Sequence, residues 1–159
     1  MIGSALGKYP IPNYTIRLPR STPRLKRMSQ LDPSSARQAI NLSDHSPSWP
    51  FSDAILAGGT LYLSGRIGID PVTGQAPADV DAEINLLFDG FEAILQQAGM
   101  TMDDLVQVQI FSPALDLWQH FNAAYVQRFS QELPARAYLG SGPLLFNARF
   151  EMMGIAVKR

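Results

Sequence analysis

The chain has 159 residues, 46% of them hydrophobic, a formal net charge of −1 and no cysteine, which supports one substantial core and not two. Disulfides, thiolate nucleophiles and cysteine-ligated metals are excluded, and the two histidines, His45 and His120, stand too far apart in sequence for a zinc motif. With no apolar run of about 18 residues and no apolar signal core, the expected setting is the cytoplasm, without a membrane partner, metal or cofactor.

Charge divides unevenly along the chain. Residues 1–31 carry Lys8, Arg17, Arg20, Arg24, Lys26 and Arg27 and no acid, a charge of +6. The other 13 − 6 = 7 basic residues and all 14 acids lie in 32–159, giving 7 − 14 = −7. Residues 1–45, rich in proline and serine, therefore read as a basic N-terminal arm that packs along its own acidic domain or a neighbouring subunit. A transit peptide and a nucleic-acid arm are the other readings. An acidic domain repels phosphates, which argues against a nucleic-acid partner.

Residues 46–159 read as the folded domain. Gly58-Gly59, between two β-leaning runs, predicts a hairpin with strands over 53–57 and 60–66. Asp70 to Gly74 (DPVTG) predicts a turn. Over 81–98, Ile84, Leu87, Phe88, Phe91, Ile94 and Leu95 recur at helical spacing, and Gly99 supplies a left-handed stop. The stretch 106–111 alternates apolar and polar residues, a strand with one buried face. Asp116 with Gln119 three residues later predicts the cap of a second helix reaching about Gln131, with Phe121, Tyr125 and Phe129 in the core and His120 on the surface. Pro134 turns Ala135 away from helical geometry, so 135–141 and 149–157 read as the last strands. The order ββαβαββ predicts an α+β fold, a mixed sheet with both helices on one face. The other face carries Leu, Ile, Val and Met and is expected to bury against another subunit.

Arg136 stands between two alanines after a proline. A guanidinium there faces solvent, pairs with a distant acid, or holds an anion. The blocks PFSDAILAGGTLYLSGRIGIDPVTGQ (50–75), NLLFDGFEAILQQAGMTMDDLVQVQIF (85–111), FNAAYVQRF (121–129), LPARAYL (133–139) and GIAVKR (154–159) resemble, in order and spacing, the signature blocks of the reactive-intermediate deaminase (RidA, or YjgF) family. The resemblance implies a chorismate-mutase-like, YjgF-type fold that assembles as a homotrimer around a central barrel, with one cleft at each subunit interface. It also implies hydrolysis of reactive enamines and imines to 2-keto acids and ammonia without metal or cofactor. Arg136 matches the arginine that grips the substrate carboxylate, a task suited to its planar fork of donors. Ser64, Gly65 and Asn122 match further substrate contacts.

Four positions depart from the family pattern. Phe51 replaces a tyrosine, Arg66 a neutral residue and Tyr138 a smaller one. Met153 stands where aligning GIAVKR puts the acid that positions water; Glu151 shares its strand face about 6.5–7 Å away. Glu151 is expected to pair with Arg149 or Arg66 in preference to acting as a base, and Tyr138 to offer a phenol in place of the one lost at Phe51. These features together indicate a RidA-like deaminase of a small carboxylate-bearing enamine or imine, with altered substrate range. A non-catalytic trimer that binds small carboxylates is the alternative, and RNA binding a more distant one.

Overall fold

The computed structural model describes residues 36–159, so the basic stretch 1–31 and the roles expected of it lie outside the described residues. Six strands form one sheet: β1 (Gln38–Ile40), β2 (Ala54–Ala57), β3 (Thr60–Ile67), β4 (Leu105–Ser112), β5 (Ala135–Gly140) and β6 (Glu151–Val157). Two helices accompany them, α1 (Val80–Gln97) and α2 (Trp118–Val126). The strand order is β1-β2-β3-β6-β4-β5. Among the described strands only β4 and β5 run parallel, and α2 is the crossover that such a pair requires. Among the described residues no helix is long and apolar enough to cross a membrane.

Local chemistry explains most of these elements. Gly58 and Gly59 both hold positive φ, 57° and 79°, closing the two-residue β2–β3 loop as only glycine does at low cost. Asp79 caps α1 by accepting from the Asp81 amide at 3.0 Å. At the other end the amides of Gly99 and Met100 return to Gln96 and Leu95 carbonyls, and the chain leaves the helix there.

Two expectations need correction. The sheet begins inside the stretch assigned to the arm, because β1 pairs with β2 from Gln38↔Leu56 to Ile40↔Ala54; a three-residue strand with one buried side chain, Ile40, leaves no periodicity to read. Asp116 does not cap α2: it sits in a 3₁₀ turn, Leu115–Leu117, and the helix starts at Trp118 without a side-chain cap. That helix stops at Val126, short of Gln131. Asp103 draws the chain away by accepting from the amides of Ser130 at 2.9 Å and Gln131 at 3.3 Å, and from the Ser130 hydroxyl.

Both helices cover one face of the sheet. Leu61, Leu63, Val108, Ile110, Met152 and Ala156 point there and are buried with Leu87, Phe88, Phe91 and Leu95 of α1. Phe121 of α2 joins the layers, its ring 5.3 Å from Phe88 and 4.9 Å from Phe150. The opposite face carries Tyr62, Met153 and Val157, exposed by 50%, 38% and 42%, with Gln107, Gln109 and Ile155.

One buried charge fixes how helix and sheet meet. Glu83, in the first turn of α1, is fully buried. Its carboxylate accepts from the Arg149 amide at 2.6 Å, the Arg149 Nε at 2.5 Å and the Phe150 amide at 3.2 Å. The two terminal nitrogens of Arg149 each donate one hydrogen bond, to the carbonyls of Ala78 and Pro77. Burying a carboxylate is tolerable only when its lone pairs are filled in this way. Glu83→Ala strands two backbone amides and a guanidinium; loss of one partner of a buried pair costs about 3–5 kcal/mol, a fall in thermal midpoint of roughly 8–15 °C for a domain of this size. Thermal unfolding followed by circular dichroism checks this, and a drop under about 3 °C contradicts it.

Candidate functional site

The residues singled out by sequence fall into two groups on opposite faces of the sheet. The first group lies between α2 and β5, the edge strand. Parallel pairing sets Arg136 beside Val108 and Tyr138 beside Ile110, so both side chains take the helix-covered face. Asn122 and Tyr125, three apart on α2, present the same side of that helix to them. The Arg136 guanidinium lies 4.6 Å from the centre of the Tyr125 ring, and the Tyr138 ring stands edge-on to Phe121 at 5.9 Å.

Arg136 is exposed and has no carboxylate within ion-pairing distance among the described residues. On the same side of the sheet, Asn122 Oδ1 and Tyr125 OH are buried without a hydrogen-bond partner among the described residues, and the buried Tyr138 hydroxyl has only the Ser112 side chain near it. Buried polar atoms nearly always find partners, so the unpartnered Tyr125 hydroxyl beneath an unpaired guanidinium, with Asn122 three residues before it on the same helix, marks a place for a polar guest or ordered water. Burial pushes the Tyr125 phenol up to about 12 against the opposing charge of Arg136. Burial likewise raises the Tyr138 pKa. Both phenols are held as neutral hydroxyls at physiological pH.

The second group lies on the outer face, around an irregularity in β3. Leu63 pairs with Gly154 and Arg66 with Met152, so Ser64 and Gly65 together oppose the single residue Met153. Such a bulge reverses the phase of the strand beyond it. Arg66 is thereby sent to the helix face, where it runs so close to Gly90 of α1 that a Cβ there would collide with its Nε. Arg66 therefore does not join the outer group, contrary to expectation.

Glu151 is not the salt-bridge partner expected either, since Arg149 is taken by Glu83 and Arg66 faces the other way. It pairs in register with Ile67 and Phe111, faces outward, and lays Oε1 directly over Gly65, where any Cβ would strike it. The glycine is what makes room for this carboxylate. A free acid is thus present beside the Ser64–Gly65 bulge although position 153 is methionine. Ser64 donates its hydroxyl to the Ser52 carbonyl at 2.7 Å, and its amide to the Asp53 carbonyl at 3.0 Å. These bonds tie the segment carrying Phe51 to the bulge. Phe51 is 49% exposed and stacks on Trp49, a residue that no periodicity or motif singles out although Trp-Pro-Phe reads plainly in the chain.

Within one chain the two groups do not meet. β5 and β3 are three inter-strand spacings apart, about 14 Å, and Arg136 and Glu151 occupy opposite faces. The phenol of Tyr138 accordingly does not stand in for a hydroxyl at Phe51 within the same subunit. Two cavities of about 300 and 340 Å³, one around Asp103 and Arg128 and one around Leu56 and Lys158, touch neither group.

Comparison with known proteins bears on the family and the fold. A family model described as Endoribonuclease L-PSP matches residues 43–158. A RutC family protein of Aquifex aeolicus is 32% identical over 114 residues, covering 70% of this chain and 91% of that protein. The 2-iminobutanoate/2-iminopropanoate deaminase of Escherichia coli is 31% identical over 113 residues, covering 69% of this chain and 88% of that protein. Among solved structures, the Rid family protein YyfA of Yersinia pestis matches with a TM-score of 0.72 at 31% identity, covering 77% of this chain and 100% of that one. The YjgF gene product of Escherichia coli matches with a TM-score of 0.69 at 28% identity, covering 77% of this chain and 99% of that one. The chain belongs to the Endoribonuclease L-PSP family, the family of the RidA and YjgF proteins.

Proposed function

We propose that this protein hydrolyses a small carboxylate-bearing imine or enamine to a 2-keto acid and ammonia, in clefts shared by neighbouring protomers of a homotrimer. The observation that carries the reading is Arg136: exposed, without an acid in ion-pairing distance among the described residues, and stacked on Tyr125, whose buried hydroxyl has no partner among them. Such a cation, with pre-placed polar neighbours, suits a carboxylate bound through two parallel N–H donors. The named relative from Escherichia coli supplies the reaction class.

The separation of the two groups motivates the assembly. A site that needs both Arg136 and Glu151 closes only when β5 of one protomer approaches the outer face of the next. The unpaired edge of β5 and the apolar outer face are both features that association removes. In this cleft one protomer contributes Arg136, Asn122 and Tyr138, and its neighbour contributes Phe51, Ser64, Gly65 and Glu151.

The chemistry then needs few groups. The protonated imine carbon is electrophilic once its carboxylate is anchored. Water attacks it, forming the new C–O bond while its proton passes to the Glu151 carboxylate. Glu151 returns that proton to the amine nitrogen; as the C–N bond breaks, the electrons of the hydroxyl O–H bond form the C=O bond and its proton passes to Glu151, releasing ammonia and the keto acid. Arg136 supplies orientation, while Glu151, next to a glycine and free of a salt bridge, supplies the base. No step calls on a metal or cofactor.

Release of ammonia and keto acid from freshly generated 2-iminopropanoate tests the proposal. Arg136→Ala lowers kcat/KM by roughly 100- to 1000-fold, the worth of two charge-assisted hydrogen bonds at about 1.5–2 kcal/mol each, chiefly through KM. Glu151→Gln lowers kcat by about 10²–10⁴-fold, as loss of a general base does, and leaves keto-acid binding within a few-fold of the parent. Turnover no faster than buffer, with pyruvate still bound through Arg136, establishes the non-catalytic binder instead. Analytical ultracentrifugation gives three times the 17.5 kDa chain mass; a monomer at micromolar concentration contradicts the shared cleft.

A further inference from the structure

We propose that the substrate's side chain is large and apolar, an aryl or long aliphatic group, and that it is received on a platform made by Trp49 and Phe51. This deepens the reading above and rests on it. The Trp49 and Phe51 rings stack with centroids 5.6 Å apart and planes 17° from parallel, yet each remains about half exposed, at 47% and 49%. A stacked aromatic pair left half exposed is an apolar surface that calls for an occupant.

The platform is rigid. His45 stands edge-on to both rings, 5.1 Å from Trp49 at 82° and 6.0 Å from Phe51 at 87°. Its Nδ1 lies 3.2 Å from Asp53 Oδ1, and Asp53 is itself buried. The Asp53 side chain accepts from the Leu42 amide at 2.9 Å, and its own amide donates to Asn41 Oδ1 at 2.9 Å. A ring pair buttressed in this way loses little freedom when a guest lands on it, so more of the contact energy becomes affinity.

Its position points to substrate. The two bonds from Ser64 to the backbone carbonyls of Ser52 and Asp53 tie the segment that directly follows the platform to the bulge where Gly65, Glu151 and Met153 stand. Met153, 38% exposed, adds a soft polarizable thioether to the same margin. The Trp49 and Phe51 rings offer no hydrogen-bonding group beyond the indole N–H, so a hydroxyl or second carboxylate on the substrate would lose its water there without compensation. A planar ring stacks on it favourably. The carboxylate to Arg136, the imine carbon to Glu151 and the side chain to Trp49 and Phe51 give three anchors for one 2-imino acid.

The experiment uses the full chain and imines released in situ by an L-amino-acid oxidase acting on phenylalanine or alanine. The parent protein hydrolyses 2-imino-3-phenylpropanoate with kcat/KM at least about 10-fold above that for 2-iminopropanoate, the discrimination a hydrophobic pocket provides. Trp49→Ala and Phe51→Ala each cut that ratio by about 10-fold or more, whereas Arg136→Ala lowers both substrates in parallel. A parent that prefers 2-iminopropanoate, or variants whose ratio stays within twofold, overturns the proposal. Dissociation of the oligomer as the sole effect of Trp49→Ala overturns it too, since the platform is then a subunit contact. Failure of the parent reading looks different: neither imine is turned over faster than in buffer. In that event calorimetry with phenylpyruvate and pyruvate decides, and equal affinities, or a preference that Trp49→Ala leaves intact, sink the platform as well.

Discussion

The structure depends on one buried ion pair. Glu83 enters the apolar layer at the start of α1 and is held there by Arg149 and by two successive backbone amides at the entrance to β6. Those bonds set the rotation of the strand as it begins, so Phe150 turns into the aromatic core against Phe121 and Glu151 turns out. The acid on the outer face is therefore a consequence of the acid buried on the inner one. Arg149 is consumed in the process, which leaves Glu151 without the arginine two residues before it as a partner. A side chain such as leucine at position 83 would fill the space and still orphan the Arg149 and Phe150 amides.

A second set of ties fixes the arginine side. Arg128 at the end of α2 donates to Asp89, Glu92 and Asn85 of α1 and lies 5.1 Å from the centre of the Phe88 ring. These partners are largely exposed, so their worth lies in orienting α2 more than in stability. With α2 aligned on α1, Asn122 and Tyr125 reach the sheet edge where β5 carries Arg136. The proposed cleft is thus assembled from two rigid margins of one domain, and its completion is deferred to the contact between protomers.

How much of this was legible follows from the range of the forces involved. The hairpin at Gly58-Gly59, the helix closed near Gly99 and the alternating strand around Val108 are written in local periodicity and turn chemistry, and they formed as read. The arginine at 136 was legible because a block of residues resembles a known signature. β1 was not, since three residues carry no period, and neither was the short α2, whose end is drawn off by Asp103 from 27 residues upstream. The direction of Glu151 and Arg66 was unreadable for a similar reason: it depends on a bulge and on the capture of Arg149 by Glu83, both tertiary events. Position 153 reads in the sequence as a missing acid, while the free carboxylate on this face, Glu151, lies two residues away over Gly65, a placement set by tertiary structure.

A crystal structure of the protein with a bound 2-keto acid is the most direct test. The ligand carboxylate is expected on Arg136 of one protomer in a two-pronged contact, with Glu151 of the neighbouring protomer one water away from the carbonyl carbon. A ligand found elsewhere, or an Arg136 side chain left in bulk solvent at a surface no second protomer approaches, contradicts the shared cleft.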